Sequence, residues 1–492
     1  MGFGFKQNVC DLYEYLAKNY NPGDDVFLFG FSRGAAEVRA LSGFIAAVGL
    51  LDGRTLSYTE LKEGIEKAYG EYQTIGGTHT DLAKPQNGRH GAIPITFIGV
   101  WDTVSALGFP QHWKITSIGM WVLNLIFMGI DRFTDWFLPH RCYNYELTKN
   151  VDHAYHALAI DDERLSFEPI LWDENLGDPK ETTIEQVWFA GSHSNVGGGY
   201  GRAGLAEVTL DWMMERACRH GLILKDGKRD EIRWNTNVYG RLYDSRDGFA
   251  VYYRYQPRNI QRLCEGKLRQ GDNIKIHKTV FERIERKSQH YAPGHLPNSC
   301  DVVDSSVPSK TQTLTINREE WEKAQNRINK WVSKRQWLYG VFLEFTLLVI
   351  ISAGWFWKWP PGEIGAREQY DAWSFHWSLN HIADVLTYVL PVFFKGLITV
   401  AVLQYPIIFG MVVVFLIVLW RLKKYFLKEN KIACYEASKL LVAACKKLGI
   451  GGGSGIADNV VSESLASSKR PPGGEQKEQG NQANMVEPQS NR

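Results

Sequence analysis

The chain has 492 residues and no closely spaced cysteine pair: its seven cysteines are scattered, no C-x-x-C occurs, and their number is odd. That pattern argues against a disulfide framework or a zinc site and predicts a reducing compartment. Excess charge of either sign is also missing. The 56 Lys and Arg against 54 Asp and Glu leave a formal net charge of +2, which gives no electrostatic reason to expect nucleic acid as a partner. The start, MGFGFKQNVCDLYEYL, lacks the basic flank and apolar core of a signal peptide. No internal repeat is visible.

Hydrophobic residues are not scarce. At 44% they suffice for a sizeable core. Before about residue 335, short β-rich runs such as VFLFG, ITFIGVWD and VWFAG alternate with helical patterns. This rhythm predicts an α/β fold, a mostly parallel sheet with flanking helices. The first run leads into Gly30-Phe31-Ser32-Arg33-Gly34, a G-x-S-x-G pattern followed by a helix-compatible run from Ala35 to Ile45. A nucleophilic serine sits on such a sharp strand-to-helix turn, where glycines let the backbone bend and lift the hydroxyl above the sheet. A serine in an ordinary turn is the alternative.

Such a serine needs a base to take its proton and an acid to orient that base, both at strand ends. The run Pro94 to Val100 ends in Trp101-Asp102-Thr103, and Gln186 to Ala190 leads into GSHSNVGGGYG with His193. Asp102 would otherwise cap a turn. The glycines around His193 would otherwise cradle a phosphate, although the P-loop lysine and spacing are missing. His153 and His156, in VDHAYHALAIDDER, are rival bases whose apolar neighbours favour packed roles.

Four ordered blocks, GFSRGAAEVRALSGFI, FIGVWDTVSALG, HALAIDDERLSFEPILW and VWFAGSHSNVGGGY, together with the later IHKTVFERI and YAPGHLP, extend over residues 1 to about 300. In them the chain resembles the bacterial and fungal family of α/β-hydrolase domains whose best-known members are type VI secretion phospholipase effectors of the first class. The resemblance implies a serine lipase or esterase acting on phospholipid acyl esters, with Ser32 as nucleophile, His193 as base and Asp102 as orienting acid. It also implies the backbone N–H of Arg33 as an oxyanion donor, and no cofactor or metal. Two departures accompany it. Asn195 stands where the family carries aspartate, and the chain is expected to lack the family's N-terminal strand together with the loop that would give the second oxyanion donor.

Beyond residue 335 the composition changes. Trp337 to Trp357 gives 21 residues with one charge, Glu344, and Gly396 to Trp420 gives 25 with none, each long enough to cross about 30 Å of hydrocarbon as a helix. Arg327, Lys330, Lys334 and Arg335 precede the first, and five basic residues lie between Arg421 and Lys431. This predicts a hairpin with both flanks on the cytoplasmic side. His381 to Lys395, with Pro391, is read as an interfacial helix. Between acid and base, Ile115 to Ile130 is uncharged over 16 residues, which suits either an apolar lid or a buried cap helix.

The expected organisation is therefore a hydrolase-like domain over 1–310, with a lid or cap insert at 111–140, and an amphipathic linker helix at 311–336. A membrane region follows at 337–420, with spans 337–357 and 396–420. A basic amphipathic helix at 421–448 and a disordered tail at 449–492 complete it. The partners expected are a lipid or acyl-ester substrate and a membrane, here a bacterial inner membrane with the hydrolase domain and tail on its cytoplasmic side. Two other functions compete: a catalytically impaired hydrolase shell serving as a binding or scaffold module, and an esterase for non-lipid esters.

Overall fold

Phe27–Phe31 (β1), Ile95–Trp101 (β2), Val151–Ala159 (β3) and Thr183–Phe189 (β4) are runs rich in aromatic and β-branched residues. The inner three, β2 to β4, are buried on both faces over most of their length. That is the burial expected of parallel strands covered by helices on either side. The computed structural model describes residues 4–75, 82–86, 88–105, 145–176, 182–304, 312–358, 381–386, 388, 394, 397–398, 401–402 and 405–449. Lys275–His277 (β5), Ser299–Val303 (β6) and Gln312–Thr315 (β7) complete a seven-stranded sheet in the order β1 to β7, parallel except for β7. The α/β fold expected from the strand rhythm is the fold observed.

Each sheet face is covered. Leu28, Ile98, Val100 and Ala154 cluster with Tyr13 of Phe5–Asn19 (α1), Phe44 of Arg33–Val48 (α2) and Tyr69 of Tyr58–Ile75 (α3). From the alternate positions, Phe97, Tyr155, Ala157 and Phe189 cluster with Trp212 and Met213 of Gly204–Arg219. The period-2 geometry of a strand produces this division, because successive side chains leave opposite faces.

The register aligns the strand ends. Phe31 pairs with Trp101, Trp101 with Ala157, and Ala159 with Phe189. The carboxyl ends of β1, β2, β3 and β4 therefore lie along one edge of the sheet, and the residues just after them become neighbours. His193–Gly197 (α4) starts four residues beyond β4, and Gly204–Arg219 (α5) comes after it.

Two long helices leave this body. Arg318–Lys358 (α7, after Lys278–Glu285, α6) has 41 residues and Pro406–Lys447 (α8) has 42. Their inner halves belong to the globular core: Trp321, Ile328 and Val332 of α7 and Ala433, Ala437 and Leu441 of α8 cluster with Phe281 of α6 and with Ile276, Cys300 and Leu314 of the sheet. Their outer halves pair with each other through Phe345 and Phe415 and present Leu348, Ile351, Met411 and Val414 as exposed apolar surface.

The boundaries differ from the sequence-based expectation in three places. Residues 312–315, expected to open the linker helix at 311–336, pair with β6 as an antiparallel strand. The helix begins at Arg318, where the Asn317 carboxamide accepts from the N–H groups of Glu319 and Glu320 at 3.0 and 3.2 Å and so caps it. The linker and the first apolar stretch are one continuous helix. Likewise the helix Pro406–Lys447 runs without a break through the basic segment expected as a separate helix at 421–448, and residues 397–398 and 401–402 ahead of it are also helical. Proline suits that first position because its missing N–H has no intrahelical acceptor there. Residues 381–386 are helical. The lid or cap at 111–140, most of the loop between the long helices, and the tail beyond Gly449 lie outside the described residues.

Candidate active site

Ser32 is the last residue before α2 and has φ 60 and ψ −121. A non-glycine residue held there is strained, and the strain turns the chain from strand into helix within one residue. Gly30 is required by space: a Cβ on it would lie 2.5 Å from the Gly34 carbonyl oxygen and 2.7 Å from the Ala35 Cα. Gly34 is different, with nothing within 4 Å of a Cβ placed on it. The Ser32 N–H donates to the Trp101 carbonyl at 3.0 Å, tying the turn to the end of β2.

Asp102 follows β2 directly, also left-handed at φ 42 and fully buried. His193 is the first residue of α4, a position fixed by a reciprocal cap between Ser192 and Asn195. The parallel register brings the three together. His193 Nε2 lies 2.7 Å from Ser32 Oγ, and His193 Nδ1 lies 2.6 Å from Asp102 Oδ2. With Asp102 ionised, Nδ1–H donates to the carboxylate, leaving Nε2 as acceptor for the serine hydroxyl. Phe31 and Phe167 flank the imidazole with ring centroids at 4.6 and 5.0 Å. Gly197 leaves the space that Phe31 occupies. Arg33, the fourth residue singled out, opens α2 with an exposed side chain, and its backbone N–H has no acceptor within the helix.

One participant escaped detection in the sequence. Arg258 is buried and grips both carboxylate oxygens of Asp102, Nη1 to Oδ1 at 2.7 Å and Nη2 to Oδ2 at 2.8 Å, while also donating to the Ala159 and Phe167 carbonyls. With the Ala159 N–H at 3.0 Å on Oδ1 and His193 on Oδ2, the carboxylate accepts four hydrogen bonds. Burial by itself would raise the Asp102 carboxyl, but Arg258 and His193 hold it well below its ordinary range. The segment YQPRNI gives no local hint, because an arginine that will be buried looks in sequence like any other.

The rival histidines have structural partners. His156 is fully buried, accepts from the Thr103 N–H at 3.1 Å and meets Gln186 Oε1 at 3.3 Å. Burial, reinforced by the charges of Arg39 and Arg258, pushes its pKa down to about 3, so it stays neutral and steadies the residue next to Asp102. His153 stacks on His220 at 3.5 Å. Asn195 uses its whole amide: Oδ1 accepts from Ser192 Oγ and the Tyr243 N–H, and Nδ2 donates to the Arg241 carbonyl at 3.1 Å. An aspartate there would set a second acceptor against that carbonyl. Two further carboxylates support the α4 turn. Asp162 accepts from the His193 N–H at 3.2 Å, and Asp161, raised by burial to about 6, accepts from the Gly191 N–H and the Tyr291 hydroxyl. Among the described residues no cluster of His, Cys, Asp and Glu has the makings of a metal site.

Comparison with known proteins agrees with the four ordered blocks. Residues 1–216 match the family model described as T6SS, phospholipase effector Tle1-like, catalytic domain, so the resemblance holds over a segment containing Ser32, Asp102 and His193. Arg258 lies beyond it. Among curated proteins, the uncharacterized protein YEL023C of Saccharomyces cerevisiae is 31% identical over 117 residues, which is 22% of this chain and 16% of the yeast protein's length. No solved structure matches the chain.

Proposed function

We propose that this protein is a serine hydrolase that cleaves acyl esters of phospholipids and is held in a membrane by α7 and α8. The observation that carries the reading is the strained Ser32 with its hydroxyl 2.7 Å from an imidazole that is itself 2.6 Å from a buried carboxylate. The match of residues 1–216 to a phospholipase effector domain supports the substrate class.

In this reading Ser32 Oγ attacks the ester carbonyl as its proton passes to His193 Nε2. Asp102 stabilises the imidazolium, and Arg258 keeps the carboxylate in the plane that serves Nδ1. The Arg33 N–H, at the positive end of α2, donates to the oxyanion. Collapse of the tetrahedral species expels the lysolipid alcohol, which takes the proton back from Nε2. Water, deprotonated by the same nitrogen, then frees the fatty acid from Ser32. The exposed apolar outer halves of α7 and α8, bounded by basic residues, support the membrane setting, with the hydrolase body and both basic flanks on its cytoplasmic side.

The test is fluorophosphonate labelling of the full chain in detergent, paired with fatty-acid release from mixed micelles. Wild type should label and hydrolyse, and Ser32→Ala should do neither. Labelling that persists in Ser32→Ala would remove the assignment. A wild-type chain that binds vesicles but neither labels nor hydrolyses would instead be a hydrolase shell used for binding.

A further inference from the structure

The two long helices carry their own depth scale. Trp331 packs against Tyr425 and Phe426, and Phe345 against Phe415, which sets Trp337 and Trp420 at nearly the same height on the antiparallel pair. Both are half exposed, at 51%, and Lys424 lies 3.8 Å over the Trp420 ring. On one side of this level stand Lys330, Lys334 and Arg421; on the other stand exposed Leu348, Ile351, Met411 and Val414. Half-exposed tryptophans with adjacent cations mark the boundary between headgroups and hydrocarbon.

One loop of the hydrolase body reaches that boundary. The turn Gly248–Tyr252 is fastened to α7 just past Trp337: the Tyr339 hydroxyl donates to the Tyr252 carbonyl, and the Tyr252 ring sits 5.3 Å from Phe342. Phe342 is five residues beyond Trp337, about 7.5 Å along the helix at 1.5 Å per residue. Interfacial elements bury their apolar side about 5–10 Å deep. In the same turn Phe249 is 93% exposed, and Tyr252 and the following Tyr253 are also exposed. The loop leads inward as well. Tyr253 meets Phe167 at 5.5 Å, and Phe167 meets His193 at 5.0 Å.

We propose that the turn Gly248–Tyr252, with Phe249 foremost and Tyr253 beside it, docks on the phospholipid bilayer next to α7 and forms the lipid-facing rim of the Ser32 site. This rests on the membrane and lipase reading of the Ser32 site. The occupant is the bilayer surface because the loop is anchored on α7 just past the tryptophan boundary, on its apolar side, beside exposed apolar residues of the same helix.

The experiment places an environment-sensitive NBD fluorophore at Phe249→Cys, Leu348→Cys and Ile223→Cys in the full chain. The protein is reconstituted in phosphatidylcholine vesicles with and without doxyl-labelled lipid, and wild type is treated in parallel. Ile223 is 92% exposed and serves as the water-facing control. NBD at 249 should be blue-shifted and quenched at least twofold, as at 348, while NBD at 223 should not. Quenching at 348 with none at 249 overturns the rim and leaves the membrane reading standing; no quenching at either position overturns both. Phe249→Ser adds a second readout, since its exposed site puts no core packing at risk. It should lower fatty-acid release from vesicles at least tenfold while labelling of Ser32 and hydrolysis of a short soluble ester stay at wild-type rates. Equal release from vesicles would overturn the proposal, whereas absent Ser32 labelling in every variant would instead count against the hydrolase reading.

Discussion

Arg258 changes what the candidate triad requires. A buried ion pair of this kind is costly to break because the abandoned charge has no water to replace its partner. Arg258→Met should therefore destabilise the fold by about 3–5 kcal/mol, read as a large drop in thermal midpoint. Arg258→Lys is the more informative change. It keeps the charge but loses the fork that fixes both oxygens, so the chain should fold while the rate of fluorophosphonate labelling at Ser32 falls tenfold or more. An unchanged labelling rate in folded Arg258→Lys would show that the Asp102 carboxylate needs no such clamp. The same residue shows where the sequence stops being informative. Ser32 announces itself through neighbours in the chain, and Asp102 and His193 through the ends of hydrophobic runs. Arg258 acts across 156 positions, and nothing in its own segment records the carboxylate it will meet.

At the scale of elements, local chemistry was readable and pairing between distant segments was not. The turn at Ser32 has its cause in five consecutive residues, yet the two glycines of the pattern are unequal. Gly30→Ala should disrupt the turn, because the added methyl meets backbone that cannot give way, and labelling should be lost. Gly34→Ala should fold at least as well as wild type, with up to about 1 kcal/mol gained from helix propensity. A folded, active Gly30→Ala would contradict the close approach. The strand Gln312–Thr315 shows the opposite case: four residues ahead of a helix take strand form because β6 offers a ladder on residues that precede them in the chain. The long helices divide, in sequence, where polar residues give way to apolar ones. Backbone hydrogen bonding ignores that change, and the helix starts are marked instead by Pro406 and the Asn317 cap.

For the molecule as a whole, buried ionisable groups set the response to acid. His156 and His277 are both pushed down to about 3 by burial, against about 6.5 when unfolded. Their contribution is fully present above pH 6.5 and is lost as pH falls toward 3, because only the unfolded chain takes up those protons. Asp161, raised to about 6, works the other way: its contribution is present below its unfolded value and is lost as pH rises through 6. Between about pH 6.5 and 4 the lowered histidines, His220 at about 4 and His295 and His153 among them, outnumber the raised carboxyls Asp161, Glu174 and Glu282, so the thermal midpoint should decline on acidification. Asp161→Asn should make the decline steeper, and a flatter profile in that variant would reverse the assignment. The fastening of α7 to the body has a different consequence. Arg335 pairs with Glu163 at 3.1 Å, and Trp321, Ile328 and Val332 are packed into the core, so the inner half of α7 is fixed rigidly to the α/β body. On the proposed membrane and lipase reading, a body mounted this stiffly reaches the leaflet it stands in and no other. Its chemistry becomes two-dimensional: turnover should track the mole fraction of substrate lipid around each molecule, falling when inert lipid is mixed into the proteoliposome and staying constant when separate substrate vesicles are added.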